Sequence, residues 1–332
     1  MADLRKSLGA LLICGFDGVV LPQHFSSALE QQTLGGLILF ARNYENSGKL
    51  KKLTAAAKAA AHGQCIIAVD QEGGRVTRFG GDFPVFSSPR FFGRSGDLPG
   101  LVHGTKVTAM ALQEHGVNLN LTPVCDLDPN TSGHVMDTRA YDSSPQIVAE
   151  AVSAQIVVQQ ECRVMSCAKH FPGLGSSTGD PHYQVADSSQ SAEQFRQSDY
   201  VPFRAAIAAG VEFVMPTHLR AKAFDDQNIV TFSSKVIQGE LRSHLGYAGL
   251  VISDDLQMLG ALERIDQIEA GRRALLAGND LLIFANLHDT LNAVLDGLTQ
   301  HAENDPSLRA RIEDSFQRLV AFRNNNPQYF PA

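Results

Sequence analysis

The chain has 332 residues, of which 44% are hydrophobic and 19% charged, with a net charge of −7. That is enough apolar material for one large barrel or two smaller domains, and a mildly acidic chain without a Lys/Arg cluster excludes a nucleic-acid or anionic-membrane footprint. No run approaches the ~20 apolar residues of a membrane span.

The first apolar run, Leu11 to Phe16, follows Arg5 and Lys6 and superficially imitates a signal peptide. It is short and leads into Gly15-Phe16-Asp17-Gly18 with no small-residue cleavage pattern, so it reads as a strand. Further strand-like runs follow at Gly36 to Phe40, Cys65 to Val69, Val117 to Val124, Val164 to Ala168, Phe213 to Pro216, Leu250 to Ser253 and Leu281 to Phe284. Between them lie segments of helical spacing, among them Gly48 to His62, Leu101 to His115, Pro145 to Glu161, Ser191 to Ala209, Ser234 to Leu245 and Asp266 to Ala277. A last helix is expected over Leu308 to Arg323, followed by a tail.

Eight strand-then-helix units predict an α/β fold with a parallel sheet: a closed (β/α)8 TIM barrel forming one domain over residues 1–332, with an open doubly wound sheet as the alternative. Polar residues favour closure. Asp70, Asp126, Lys169 with His170, His218, and Asp254 with Asp255 each follow a different predicted strand, and a barrel gathers strand ends round one mouth. Of the five cysteines, Cys14, Cys65, Cys125 and Cys167 lie in or beside apolar runs. That suits reduced buried thiols and a reducing compartment, and Cys162 with Cys167 lacks zinc-type spacing.

Four motifs carry chemistry. After Val69, Asp70 opens Asp-Gln-Glu-Gly-Gly-Arg-Val-Thr-Arg; the Gly pair permits a tight turn, and Arg78 either returns to the mouth or pairs with Glu72 on the surface. Lys169 and His170 lead a Gly/Ser loop that carries Asp180-Pro181-His182. In extended backbone Asp180 and His182 project to one side, so the carboxylate can hold one ring nitrogen while the other serves a substrate; a solvated loop histidine is the alternative. In Ser253-Asp254-Asp255-Leu256, one carboxylate faces the mouth and the other turns back to backbone, unless the pair only caps the next helix. Arg139, in the long segment after Asp126, is ambiguous by itself.

Taken in order, Gly35 to Asn43 (Gly-Gly-Leu-Ile-Leu-Phe-Ala-Arg-Asn), Val69 to Val76, Leu121 to Leu127, Lys169 to Gly173, Asp180 to His182, Met215 to His218 and Ser253 to Met258 resemble glycoside hydrolase family 3, in its single-barrel β-N-acetylglucosaminidase branch. The resemblance implies Asp254 as nucleophile, His182 as acid/base and Asp180 as its supporting carboxylate. It further implies that Asp70, Arg78, Arg139, Lys169 and His170 hold the sugar. No metal or organic cofactor is implied, and the partner is a small β-linked N-acetylhexosamine glycoside, such as a fragment of bacterial cell wall undergoing recycling. A monomer in the cytoplasm is expected.

The family's usual segment has His where this chain has Leu174 and Ser where it has Pro181, which leaves the aglycone side least defined. Competing readings are a phosphorylase using the same residues, a catalytically weak sugar-binding relative, and a metal-dependent barrel hydrolase built on His170, His182 and His218. A family β-glucosidase fits less well, because those enzymes take the acid/base from a further domain.

Overall fold

The computed structural model describes residues 3–180, 183, 185–262 and 265–330. Every predicted strand run forms a parallel strand: β1 (Leu12–Cys14), β2 (Gly36–Leu39), β3 (Ile66–Val69), β4 (Leu119–Asn120), β5 (Met165–Phe171), β6 (Phe213–Pro216), β7 (Leu250–Asp255) and β8 (Leu281–Phe284). The sheet closes in chain order, with β1 between β8 and β2: Leu12 lies opposite Leu282, and Ile13 opposite Gly36. Closure settles the choice against an open sheet. β1, β2, β3, β6 and β8 are buried along their whole length, as strands must be when side chains fill the barrel on one face and helices cover the other. The N-terminal apolar run is therefore the first barrel strand.

The covering helices include Ser47–Ala60, Leu98–Glu114, Pro145–Glu161, Tyr200–Ala208, Gln267–Ala277, Leu291–Asn304 and Pro306–Asn325. Each shows its reason locally. In Ser47–Ala60 the buried residues Leu50, Leu53, Thr54 and Ala57 repeat at helical spacing, and the Asn46 side chain accepts from the Lys49 N–H at the open first turn. Fully burying one such leucine contributes roughly 1.5–3 kcal/mol. The expected helix Ser191 to Ala209 is instead two, Ala192–Gln197 and Tyr200–Ala208. Pro202 has no N–H to return to Ser198, whose hydroxyl donates to the Gln194 carbonyl at 2.7 Å, so one helix cannot run through. Segment 235–244 is helical as expected, but wound wider, as a π-helix.

Strand ends differ where polar residues continue a ladder. β5 runs on through Lys169 and His170 to Phe171, and β7 through Asp254 and Asp255, because their backbones still pair with the neighbouring strands. β4 is shorter than its apolar run: Pro123 has no N–H to donate, and the chain rejoins at Val124, which bridges Lys169. Two small additions lie outside the barrel. A hairpin pairs Gln71–Gly73 with Val76–Thr77, and a parallel ribbon pairs Ala186–Ser188 with Leu219–Ala221. All five cysteines are free thiols, and no helix of the described residues is long and apolar enough to cross a membrane.

Candidate active site

Asp70 stands one residue past β3, and the hairpin that follows decides what reaches it. Gly73 and Gly74 take φ of 94° and 58°, the left-handed turn that other residues resist. Gln71, buried beneath it, accepts the Arg78 and Phe79 N–H groups on Oε1 at 2.9 and 3.1 Å and donates Nε2 to the Phe79 carbonyl. The chain is thus stitched back on itself. Arg78 returns to the mouth, where Nη2 donates to Asp70 Oδ2 at 3.3 Å. The alternative of a surface pair with Glu72 does not occur, because Glu72 is buried and occupied by other cations.

Those cations are Lys169 and Arg139. Lys169 Nζ donates to Asp70 Oδ1 at 2.6 Å and lies 2.7 Å from Glu72 Oε1. Arg139 takes Glu72 side-on, Nε to Oε2 at 2.9 Å and Nη2 to Oε1 at 2.8 Å. Burial by itself disfavours every one of these charges; the opposite charges outweigh it. Lys169 is consequently held above the ordinary lysine range by Asp70 and Glu72, while Asp70 and Glu72 are held below the ordinary carboxylate range by Lys169 with Arg78 and by Arg139 with Lys169 respectively. All stay ionised at neutral pH, a fixed charge pattern suited to hydroxyl groups.

His170 is oriented from behind. Its Nδ1 lies 2.6 Å from Asp126 Oδ2, and the His170 and Leu174 backbone N–H groups also donate to the fully buried Asp126 carboxylate. Arg139 Nη2 approaches Nε2 at 3.4 Å, so a neutral ring protonated on Nδ1 satisfies both neighbours.

Asp254 and Asp255 both border the cavity, but their partners differ. Asp255 turns back: Oδ1 accepts the Gln257 and Ala285 N–H groups at 3.0 and 2.9 Å. Burial, with Asp254 adding repulsion, pushes its carboxyl up to about 6 despite those donors. Asp254 lines the cavity and accepts the Asp255 N–H at 2.8 Å. His218 is fully buried, with Nδ1 2.8 Å from Thr231 Oγ1 and Nε2 2.8 Å from the Asp255 carbonyl. It braces the end of β7; with both ring nitrogens so engaged it does not offer one to the mouth, as the metal-hydrolase arrangement requires.

The loop after β5 closes the wall. It is pinned at its base, where Thr178 and Asp187 exchange backbone hydrogen bonds at 2.8 and 3.2 Å and Asp187 holds Arg220 and Lys222 at 2.8 and 3.0 Å. Asp180 lines the cavity. Pro181 and His182 lie outside the described residues. The expected placement of His182 against Asp180 therefore lies outside them too; the Tyr183 N–H donates to the Asp180 carbonyl at 3.0 Å. Leu174 is 2% exposed and belongs to an apolar cluster with Phe171, Tyr200 and Phe203, while its edge touches the cavity. Its place in the fold therefore rewards an apolar side chain.

Asp70, Arg78, Arg139, Lys169, His170, Asp180 and Asp254 share one cavity of about 510 Å3 at the carboxyl ends of the strands, within the roughly 300–1,000 Å3 of small-molecule sites. Two buried carboxylates behind it escaped the sequence reading. For Glu72 the motif suggests only a surface partner for Arg78. Asp126 was noted at a strand end without a role. An acidic residue two positions into a Gly-rich turn that also holds a strand-end Asp was the available signal for the first.

A family model, glycosyl hydrolase family 3 N terminal domain, matches residues 4–322. A β-hexosaminidase of Nitrosomonas eutropha is 36% identical over 299 residues, covering 88% of this chain and 84% of the relative; that of Tolumonas auensis is 34% identical over 304 residues, 90% and 88%. Among solved structures, a family 3 β-N-acetylglucosaminidase of Paenibacillus sp. str. FPU-7 superposes with TM-score 0.92 at 29% identity; it covers all of this chain, which spans 64% of that protein's length. NagZ of Neisseria gonorrhoeae, in complex with N-trifluoroacetyl-D-glucosamine, gives 0.79 at 28% identity, covering 95% of this chain and 97% of NagZ. The motifs, the closed barrel and the cavity at its mouth agree with these likenesses: the chain belongs to glycosyl hydrolase family 3 and is a glycoside hydrolase.

Proposed function

We propose that the protein is a retaining exo-β-N-acetylglucosaminidase that removes terminal N-acetylglucosamine from small glycosides, cell-wall fragments among them, and that it works as a cytoplasmic monomer. The observation that carries this reading is the sharing of one cavity by Asp254, Asp180 and the charges of Asp70, Lys169 and Arg139, which Glu72 ties together from behind. The gonococcal NagZ complex, whose ligand is an N-acylated glucosamine, supports the same sugar class.

In this mechanism Asp70, Arg78, Lys169, Arg139 and His170 hold the terminal sugar by its hydroxyl and acylamino groups. The Asp254 carboxylate attacks the anomeric carbon while the bond to the aglycone oxygen breaks, and His182, supported by Asp180, donates a proton to that oxygen. His182 then takes a proton from water, whose oxygen attacks the same carbon and frees Asp254. Two inversions return the β-anomer, and the route uses no metal or organic cofactor.

The test is turnover of an aryl β-N-acetylglucosaminide by the natural chain and by Asp254→Ala, with the first-formed anomer followed by NMR. Loss of several orders of magnitude in turnover and a β-anomer product are expected. Near-wild-type turnover in the variant, an α-anomer product, or a sugar phosphate formed when phosphate is present would refute the corresponding part.

A further inference from the structure

At the opposite end of the barrel, the approaches to β1, β2 and β3 and the helix Pro306–Asn325 enclose a second cavity, of about 240 Å3. Arg323 lines it together with Lys6 and His62, and among the described residues no acidic side chain lines it. This arginine is treated unlike the other inward-facing ones. Arg139 has Glu72, and Arg242 and Arg311 share Asp280. Among the described residues Arg323 Nε is sealed from solvent without an acceptor, and Nη2 reaches the Gly35 carbonyl at 3.4 Å, the outer edge of hydrogen bonding. Its guanidinium also lies over the Phe330 ring, 5.7 Å from the centroid.

Among the described residues, the acidic group that acts on Arg323 is the Cys65 thiol, and it is no counter-charge. Burial pushes the Cys65 thiol up to about 11, so it is neutral at pH 7, and burial pulls Arg323 down to about 10, so the guanidinium remains charged. A cation held against apolar walls with unmet donors is unfavourable until an anion completes it. The remaining walls are largely apolar, with Leu29, Leu34, Phe316 and Val320.

We propose that this cavity is a second binding site, for a small molecule bearing an oxyanion. Carboxylate or phosphate oxygens pair with the Arg323 guanidinium where it lines the cavity, Lys6 adds positive charge and His62 a ring nitrogen, and a short apolar body rests against Leu34 and Phe316. The cavity lies below the size of ordinary drug-sized sites, which limits the ligand to roughly one ring or a short chain. The site is independent of the sugar chemistry at the mouth.

The experiment titrates benzoate, its uncharged counterpart benzamide, and inorganic phosphate against the natural chain, Arg323→Met and Lys6→Gln, by calorimetry and ligand-observed NMR. Saturable binding of benzoate or phosphate, none of benzamide, and an affinity at least about tenfold weaker in Arg323→Met are expected. Benzoate binding tighter than phosphate identifies an organic anion that uses the apolar walls; the reverse order identifies free phosphate. Arg323→Met also removes an uncompensated cation, so its Tm in anion-free buffer is expected to equal or exceed that of the natural chain, while the rise caused by the anion disappears. Should that variant fail to fold, Lys6→Gln carries the test with an affinity at least about threefold weaker. Absence of saturation up to ~50 mM, equal binding of benzamide, or affinities unchanged in the variants overturns the proposal.

Discussion

Glu72→Gln tests the charge lattice beneath the sugar site, because the amide keeps the shape of the side chain while removing the charge and one acceptor oxygen. In the natural protein one carboxylate with 1% side-chain exposure serves both Lys169, at 2.7 Å, and Arg139, at 2.8 and 2.9 Å. After the substitution Lys169 retains Asp70 at 2.6 Å, but Arg139 keeps only a neutral oxygen and the 3.4 Å approach to His170. One buried positive charge is left without compensation. Breaking a buried ion pair from one side costs about 3–5 kcal/mol, and the amide oxygen recovers part of this, so a stability loss of roughly 2–4 kcal/mol by urea unfolding is expected at pH 7.

The loss should also reach the sugar. Lys169 and Arg139 would lose their fixed positions, and kcat/KM on an aryl β-N-acetylglucosaminide is expected to fall by about 10- to 1,000-fold, equivalent to about one or two charge-assisted hydrogen bonds. The sign with pH follows. The Glu72 carboxyl is held below its ordinary 4.5, so its contribution is complete above that value and fades as the pH falls below it. The stability difference between natural and variant chains should therefore shrink in acid. A variant with unchanged unfolding and unchanged kcat/KM at pH 7 would refute the lattice argument.

Three further outcomes are expected. Burial raises the Asp199 carboxyl to about 6 from 3.8, so the stability linked to its protonation is present below pH 4 and lost as pH rises through 6; natural-chain stability should drop by roughly 3 kcal/mol relative to Asp199→Asn over that window, and parallel profiles from pH 4 to 7 would contradict the shift. Gly173→Ala should destabilise the protein and lower turnover, since φ is 133° and the added carbon would lie 2.5 Å from Asp199 Oδ1; a Tm and turnover equal to those of the natural chain would argue against that crowding. Leu174→Ala, at 2% exposure in its apolar cluster, should reduce stability by about 2–5 kcal/mol and alter KM more for substrates that differ in aglycone than for those that differ in sugar; a neutral effect on unfolding would show that this leucine packs loosely.

Much of the architecture was legible because it depends on short-range patterns. Eight apolar runs separated by helical spacing specify buried parallel strands, and strand-end position gathers Asp70, Lys169, His170 and Asp254 round one mouth, but it gathers Asp126 and His218 equally, which do not line the cavity; the roles came from the family resemblance. Of the adjacent pair Asp254 and Asp255, Asp255 turns to backbone N–H groups as expected of one of them, while both border the cavity. Partner choice was not legible. Whether Arg78 meets Asp70 or Glu72 depends on Gln71 stitching the hairpin, and whether Glu72 is a surface residue or the centre of a buried lattice depends on Lys169 and Arg139 arriving from segments about 97 and 67 residues away. Spacing reports what one chain segment can reach, whereas ionisation, burial and pairing are set by what distant segments bring to the same place. The same division holds at the far end of the barrel: nothing in the helical pattern around Arg323 foretold that its guanidinium would face a cavity lined by no carboxylate of the described residues, which arises only once the helix has packed beside the residues that lead into β1, β2 and β3.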